Sequence, residues 1–215
     1  MAVTGQVYHC HVLATLLLAW LAAIEVERVL ALVNGVPVLA SDVEAAVMAG
    51  LVPRGPEESD EAYRRAVAEA LVQLEMRWQD LEASGVANQL HPDLAAAWAR
   101  VVTAAGGEAA LSARLAAVGL PLDLVRAQVQ RASLVEAYVA RRFAPFARPS
   151  EKEVVQAWEG EFAPQFRARG EPVPELAAVR GTVEAILRER KLTAEVERWS
   201  AELEARGEVV RYFPR

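Results

Sequence analysis

The spacing of apolar residues along this 215-residue chain changes several times, and each change marks an element. Val29 to Val33 and Val36 to Leu39 are short apolar runs separated by Asn34-Gly35. Both turn residues accept positive φ, so the pattern predicts a type I′ hairpin. Pro37 has no amide hydrogen to give, which makes its strand an edge strand or a very short one. Ser41-Asp42-Val43-Glu44 reads as a capping box opening a helix. Gly50, Pro53, Gly55 and Pro56 cut that helix short. From Ser59 to Ala83 the residues Tyr63, Val67, Ala70, Leu71, Leu74 and Trp78 recur every three or four positions, predicting a long helix that Gly85 ends.

The second half continues in the same helical period. Pro92 starts a helix that ends at Gly106-Gly107, and another runs from Glu108 to Val118 before Gly119. Pro121 opens a long helix to about Phe143, with Leu122, Val125, Val129, Ala132, Val139 and Phe143 on one face. Pro145 and Pro149 mark a break. Ser150-Glu151-Lys152-Glu153 is a second capping box, predicting a helix through Phe166 that Pro164 kinks or ends early. Gly170, Pro172 and Pro174 form a linker. A last helix covers Leu176 to Ala205, Gly207 closes it, and Val209 to Phe213 reads as a strand. The expected fold is mainly α, a multi-helix module with a small sheet made by the N-terminal hairpin and the C-terminal strand.

The start of the chain has a different character. Residues 1–24 contain no Asp, Glu, Lys or Arg, and Val12 to Ile24 (VLATLLLAWLAAI) is an apolar run of 13 residues. That matches a signal-peptide core and is short for a span of about 20 residues. Ala22 and Ala23 suit cleavage. The expectation is an export signal over 1–24, with an uncleaved membrane anchor as the alternative because the segment has His9 and His11 but no Lys or Arg. Residues 25–215 then form one domain, with 161–178 as a linker. Cys10, the only cysteine, falls in the leader, so no disulfide is expected in the rest.

Composition narrows the function. Hydrophobic residues are 53% and charged residues 24%, a globular balance. The formal charge of -6 argues against a nucleic-acid partner. His91 is the only histidine after the leader, so catalytic His–Cys pairs and zinc sites have no ligands to draw on. Gly106-Gly107 joins two helices rather than a strand to a helix, which removes the phosphate-loop reading. No catalytic residue, metal or cofactor is assigned.

Aromatic residues are the remaining candidates. Phe143, Phe146, Trp158, Phe162 and Phe166 fall within one stretch, and the last three follow i, i+4, i+8 spacing. Each can bury about 150–250 Å². The stripe is either core or the lining of a cleft that takes apolar peptide, and these five are the candidate substrate-binding residues.

Three segments together resemble the SurA family of chaperones. Val29–Val43 (VLALVNGVPVLASDV) is similar to its opening strand–turn–strand–helix. Leu94–Val154 has its succession of helix, Gly-Gly, helix, Gly-Leu-Pro, long helix and Pro-Ser-Glu-Lys-Glu-Val. Ala185–Tyr212, with Leu187-Arg188-Glu189-Arg190-Lys191 and Trp199, resembles its returning helix and strand. The resemblance implies an ATP-independent periplasmic chaperone for unfolded or partly folded exported polypeptides, outer-membrane proteins among them, with transient membrane contact left open. In that family parvulin-type isomerase domains lie between the second and third segments. Here that interval, about Glu161 to Ala178, is too short to hold one. A peptidyl-prolyl isomerase, or a dedicated assembly partner of one secreted protein, are the alternatives.

Overall fold

A computed structural model describes residues 27–213, and the leader assigned to 1–24 lies outside them. The hairpin forms as expected. Strands β1 (Val29–Val33) and β2 (Val36–Leu39) are joined at Asn34 (φ 49°) and Gly35 (φ 83°), both in the left-handed region a type I′ turn requires. Strand β3 (Val209–Arg211) pairs antiparallel with β1, giving the order β2-β1-β3 and leaving Pro37 on an edge. The mainly helical fold with a small sheet built from the two ends is therefore the observed one.

Helix α1 (Ala40–Ala49) begins one residue before Ser41, so the first capping box is not made. The N-cap residue is Leu39, which has no acceptor. Its own amide donates to Asp42 Oδ2 at 2.9 Å, while the Ala40 and Ser41 amides donate to Arg28 O at 2.8 Å and Glu27 Oε1 at 3.3 Å. Chain that enters β1 thus caps the helix that leaves β2. A sequence window of four residues contains no sign of that.

Helix α2 (Asp60–Ser84) has Ser59 as its cap, whose Oγ accepts from Ala62 N–H at 3.2 Å. Its most buried side chains include Val72, Met76 and Leu81, outside the stripe expected from periodicity. The reason is that α2 is enclosed on several sides, by the sheet, α1 and the two longest later helices. Helices α3 (Leu94–Ala104) and α4 (Glu108–Ala116) form a corner against α5 (Leu122–Phe143). On α5 Val125, Val129, Val135, Tyr138 and Phe143 are buried, whereas Ala132 faces out.

The expected helix after Ser150 is broken in the middle. Its capping box is made in full, Glu153 Oε2 accepting from Ser150 N–H at 2.7 Å and Ser150 Oγ from Glu153 N–H at 3.4 Å. Helix α6 (Glu151–Ala157) then passes into a π turn (Trp158–Phe162) and α7 (Ala163–Ala168). Pro164 cannot donate to Gly160, and its ring would crowd that carbonyl in a regular helix. The wider turn, in which Ala163 N–H reaches Trp158 O, makes room for it. Helix α8 (Leu176–Arg206) completes the chain; at 1.5 Å per residue it spans about 46 Å.

The core is divided. The principal cluster joins Ala31, Val33 and Val38 of the sheet to Val72 and Met76 of α2, Tyr138 and Phe143 of α5, and Trp199 and Leu203 of α8. A second holds α1 and α3 to α5 through Leu111 and Leu115 of α4, both fully buried, and a third packs α1 on the first half of α2. The fourth, Val154, Trp158, Ala163 and Val183, lies between α6–α7 and the first half of α8. The other three share the flanking side chains Leu51, Leu71 and Phe213 among themselves, whereas this one shares no side chain with them, so α6, α7 and that half of α8 make an arm, joined to the body through α8 and through the connection from α5.

Candidate functional site

The five aromatics are distributed over different surroundings. Phe143 is buried in the principal core, its ring 5.5 Å from that of Trp199. Trp158 is buried in the arm with its ring 6.0 Å from Phe166; Phe162 and Phe166 are half-buried against α8 in the same cluster. Phe146, in the connection between α5 and α6, is 70% exposed. The stripe Trp158–Phe162–Phe166 is thus brought together, but as the packing layer of the arm. Phe143 and Phe146 stand apart from it.

The open grooves lie where both ends of the described chain meet. One, of about 770 Å³, runs between the start of β1, α1, the first turns of α2 and the residues after β3. Val29, Leu30, Val43, Ala68 and Phe213 supply its apolar surface, and Tyr212 at its margin is 60% exposed. Arg64 and Glu44 bridge across it at 3.2 Å. A second groove of about 440 Å³ continues along β3 and shares Arg65 and Phe213 with the first. None of the five aromatics lines either one. The signal that pointed here was the pairing of the chain ends, because the groove exists only once β3 lies beside β1.

Electrostatics secure this region. The Arg211 side chain is only 7% exposed; its Nε and Nη2 donate to Glu69 Oε2 and Oε1, both at 2.8 Å, and Nη1 stands 2.7 Å from Glu204 Oε1 in an ion pair. Glu69 first, then Glu204, hold its guanidinium above the usual range. Burial pushes the Asp42 carboxyl up, against the opposing bond from the Leu39 amide. In the arm, Glu153 is pulled down to about 2, chiefly by the Lys191 ammonium and then by the Ser150 amide.

Chemistry is sparse among the described residues. No group of three or more His, Cys, Asp or Glu side chains is placed to hold a metal ion, and no helix is long and apolar enough to cross a membrane. His91 is exposed beside Asp93, whose Oδ1 caps α3 by accepting from Ala96 N–H at 2.9 Å. The surface offers an apolar channel with a charged rim beside an open sheet edge. No protein-family model and no curated protein matches this chain.

Proposed function

We propose that this chain is an ATP-independent chaperone of the SurA type, without an isomerase domain, that holds unfolded or partly folded exported polypeptides in the periplasm. The observation that carries the reading is the groove of about 770 Å³ between the sheet, α1 and α2. Its surface mixes aliphatic and aromatic groups with paired charges, a surface that accepts many apolar segments weakly rather than one ligand tightly. The clients enter from the sequence resemblance, and the leader over 1–24 supplies the localisation. Phe146 is a further apolar contact on the outside of the body, and the arm's aromatic layer is not needed for the reading. Release follows by mass action as the client folds or inserts elsewhere, so no nucleotide takes part.

The decisive experiment is light scattering of a denatured outer-membrane protein diluted into buffer with and without the chain. Suppression at several-fold excess is expected, and Val29→Glu together with Tyr212→Glu, both at exposed positions of the groove, should abolish it while circular dichroism stays helical. Absence of suppression by the unaltered chain would sink the proposal.

A further inference from the structure

The sheet has two outer edges, and only one can receive another strand. On the β2 side, Val33 and Val36 close the two-residue turn, so the backbone of Pro37 in the next pair is directed away from β1. At that outward position there is no N–H to give, and the edge is blocked. On the β3 side, Asn34 N–H donates to Glu208 O at 2.8 Å and Tyr212 N–H to Leu30 O at 2.8 Å. Those bonds set the phase. Glu208, Val210 and Tyr212 face β1, and the N–H and C=O groups of Val209 and Arg211 point outward with the N–H of Phe213. Among the described residues these outward groups have no backbone partner.

The groove of about 440 Å³ lies along this edge. Its α2 wall is formed by Ala62 and Ala66, which are one helical turn apart and leave space that longer side chains would fill. Its charges cancel: Arg65 and Arg211 stand against Glu69 and Glu204. The Arg211 ion pairs also fix the edge, because they tie β3 to α2 and to the end of α8. A rigid row of main-chain donors and acceptors, next to a narrow trough of no net charge, matches the backbone of an extended uncharged segment with small or apolar side chains.

We propose that β3 takes such a segment as a fourth strand, its alternate side chains entering the trough beside Ala62 and Ala66. This rests on the reading of the protein as a polypeptide-binding chaperone and names how its clients are gripped: by main-chain hydrogen bonds, which are indifferent to sequence, with charge as the main exclusion.

The test uses the full chain and a labelled peptide of about seven residues alternating valine and threonine, followed by fluorescence anisotropy. Methylating the amide nitrogens of one alternate set, the set that would face β3, is expected to weaken binding at least about tenfold. Methylating the other set should leave it unchanged. Val209→Pro, which removes an outward donor while sparing the β1 ladder, and Ala66→Glu, at an exposed position, should each weaken binding by a similar factor. Equal binding of both methylated peptides would overturn the proposal. So would a dimer in sedimentation that Val209→Pro dissolves, since a second copy would then own the edge. If light scattering shows suppression while the methylated peptides bind alike, strand addition alone fails. If the peptide pattern holds without suppression, it is the chaperone reading that fails.

Discussion

The indole Nε1 of Trp199 donates to Asp80 Oδ2 at 3.1 Å and so joins α8 to α2 across most of the chain. The same carboxylate receives Arg142 Nη1 at 3.1 Å and Arg206, while the Trp199 ring packs on Tyr138 and Phe143 at 5.7 and 5.5 Å. Trp199 is 2% exposed. Trp199→Ala should cost about 3–5 kcal/mol by leaving a cavity, against about 1 kcal/mol for Trp199→Phe, which keeps most of the packing and loses the bond. Denaturant unfolding followed by far-ultraviolet circular dichroism separates the two.

Asn34 joins the hairpin to Glu208 with two bonds and to α2 with a third. Its N–H donates to Glu208 O at 2.8 Å, its Oδ1 accepts from Glu208 N–H at 2.8 Å, and its Nδ2 donates to Gln79 Oε1 at 2.8 Å. Asn34→Gly keeps the left-handed backbone and loses the side-chain bonds, a cost of about 1 kcal/mol; Asn34→Ala adds backbone strain and should cost about 2 kcal/mol. Thermal unfolding of the pair gives the difference.

Gly207 is required here by proximity, not by its φ of -99°. A Cβ would stand 3.0 Å from Leu203 O and 3.1 Å from Asn34 Oδ1. Gly207→Ala should therefore break the Asn34–Glu208 contact and speed amide exchange in β3 before it affects α2 or α5, which native-state hydrogen exchange resolves.

The arm should open by itself. Because its cluster shares no packed side chain with the body, not even at its margin, Trp158→Ala should raise amide exchange across Glu151–Ala168 by about 100-fold, while protection in α2 and α5 is unchanged. Uniform loss of protection would mean that arm and body unfold together.

Acid should loosen the same arm. Glu153 accepts from Lys191 Nζ at 2.9 Å, and Arg180 and Arg190 each grip a carboxylate with two nitrogens, Glu151 at 2.6 and 2.8 Å and Glu161 at 2.6 Å twice. All three carboxyls are lowered, Glu153 to about 2. A depressed carboxylate stabilises the fold above its unfolded value of 4.5 and loses that contribution as pH falls through its folded value. Arm protection should then decline between about pH 4.5 and 2, and Glu153→Gln should flatten the decline. Carboxyl-resolved nuclear magnetic resonance titration checks both.

Local chemistry made much of this fold readable in advance. Asn34-Gly35 forces its turn whatever surrounds it, and Ser59, Gly85 and Ser150 act within one turn of their own helices. The errors arose where distant chain supplies the partner. Glu27 and Arg28 cap α1 in place of Ser41, and the enclosure of α2 buries Val72 and Met76 outside the expected stripe. The groove was harder still, because Leu30, Val43 and Phe213 are unrelated in sequence and become neighbours only through the sheet. Aromatic spacing found the Trp158–Phe166 layer, but spacing alone does not say whether a neighbouring helix covers it.

Pairing the first described strand with the last also has a kinetic meaning. β1 holds the central place in the sheet, yet its second partner begins at Val209, so the loop to be closed is nearly the whole described chain. Closing so long a loop is slow, because its entropy is lost before any contact compensates. A chain delivered from its N-terminus can wind its helices as they emerge, but the groove is incomplete until Tyr212 and Phe213, after β3, arrive. The surface that would grip another polypeptide therefore forms only after every described helix has been made.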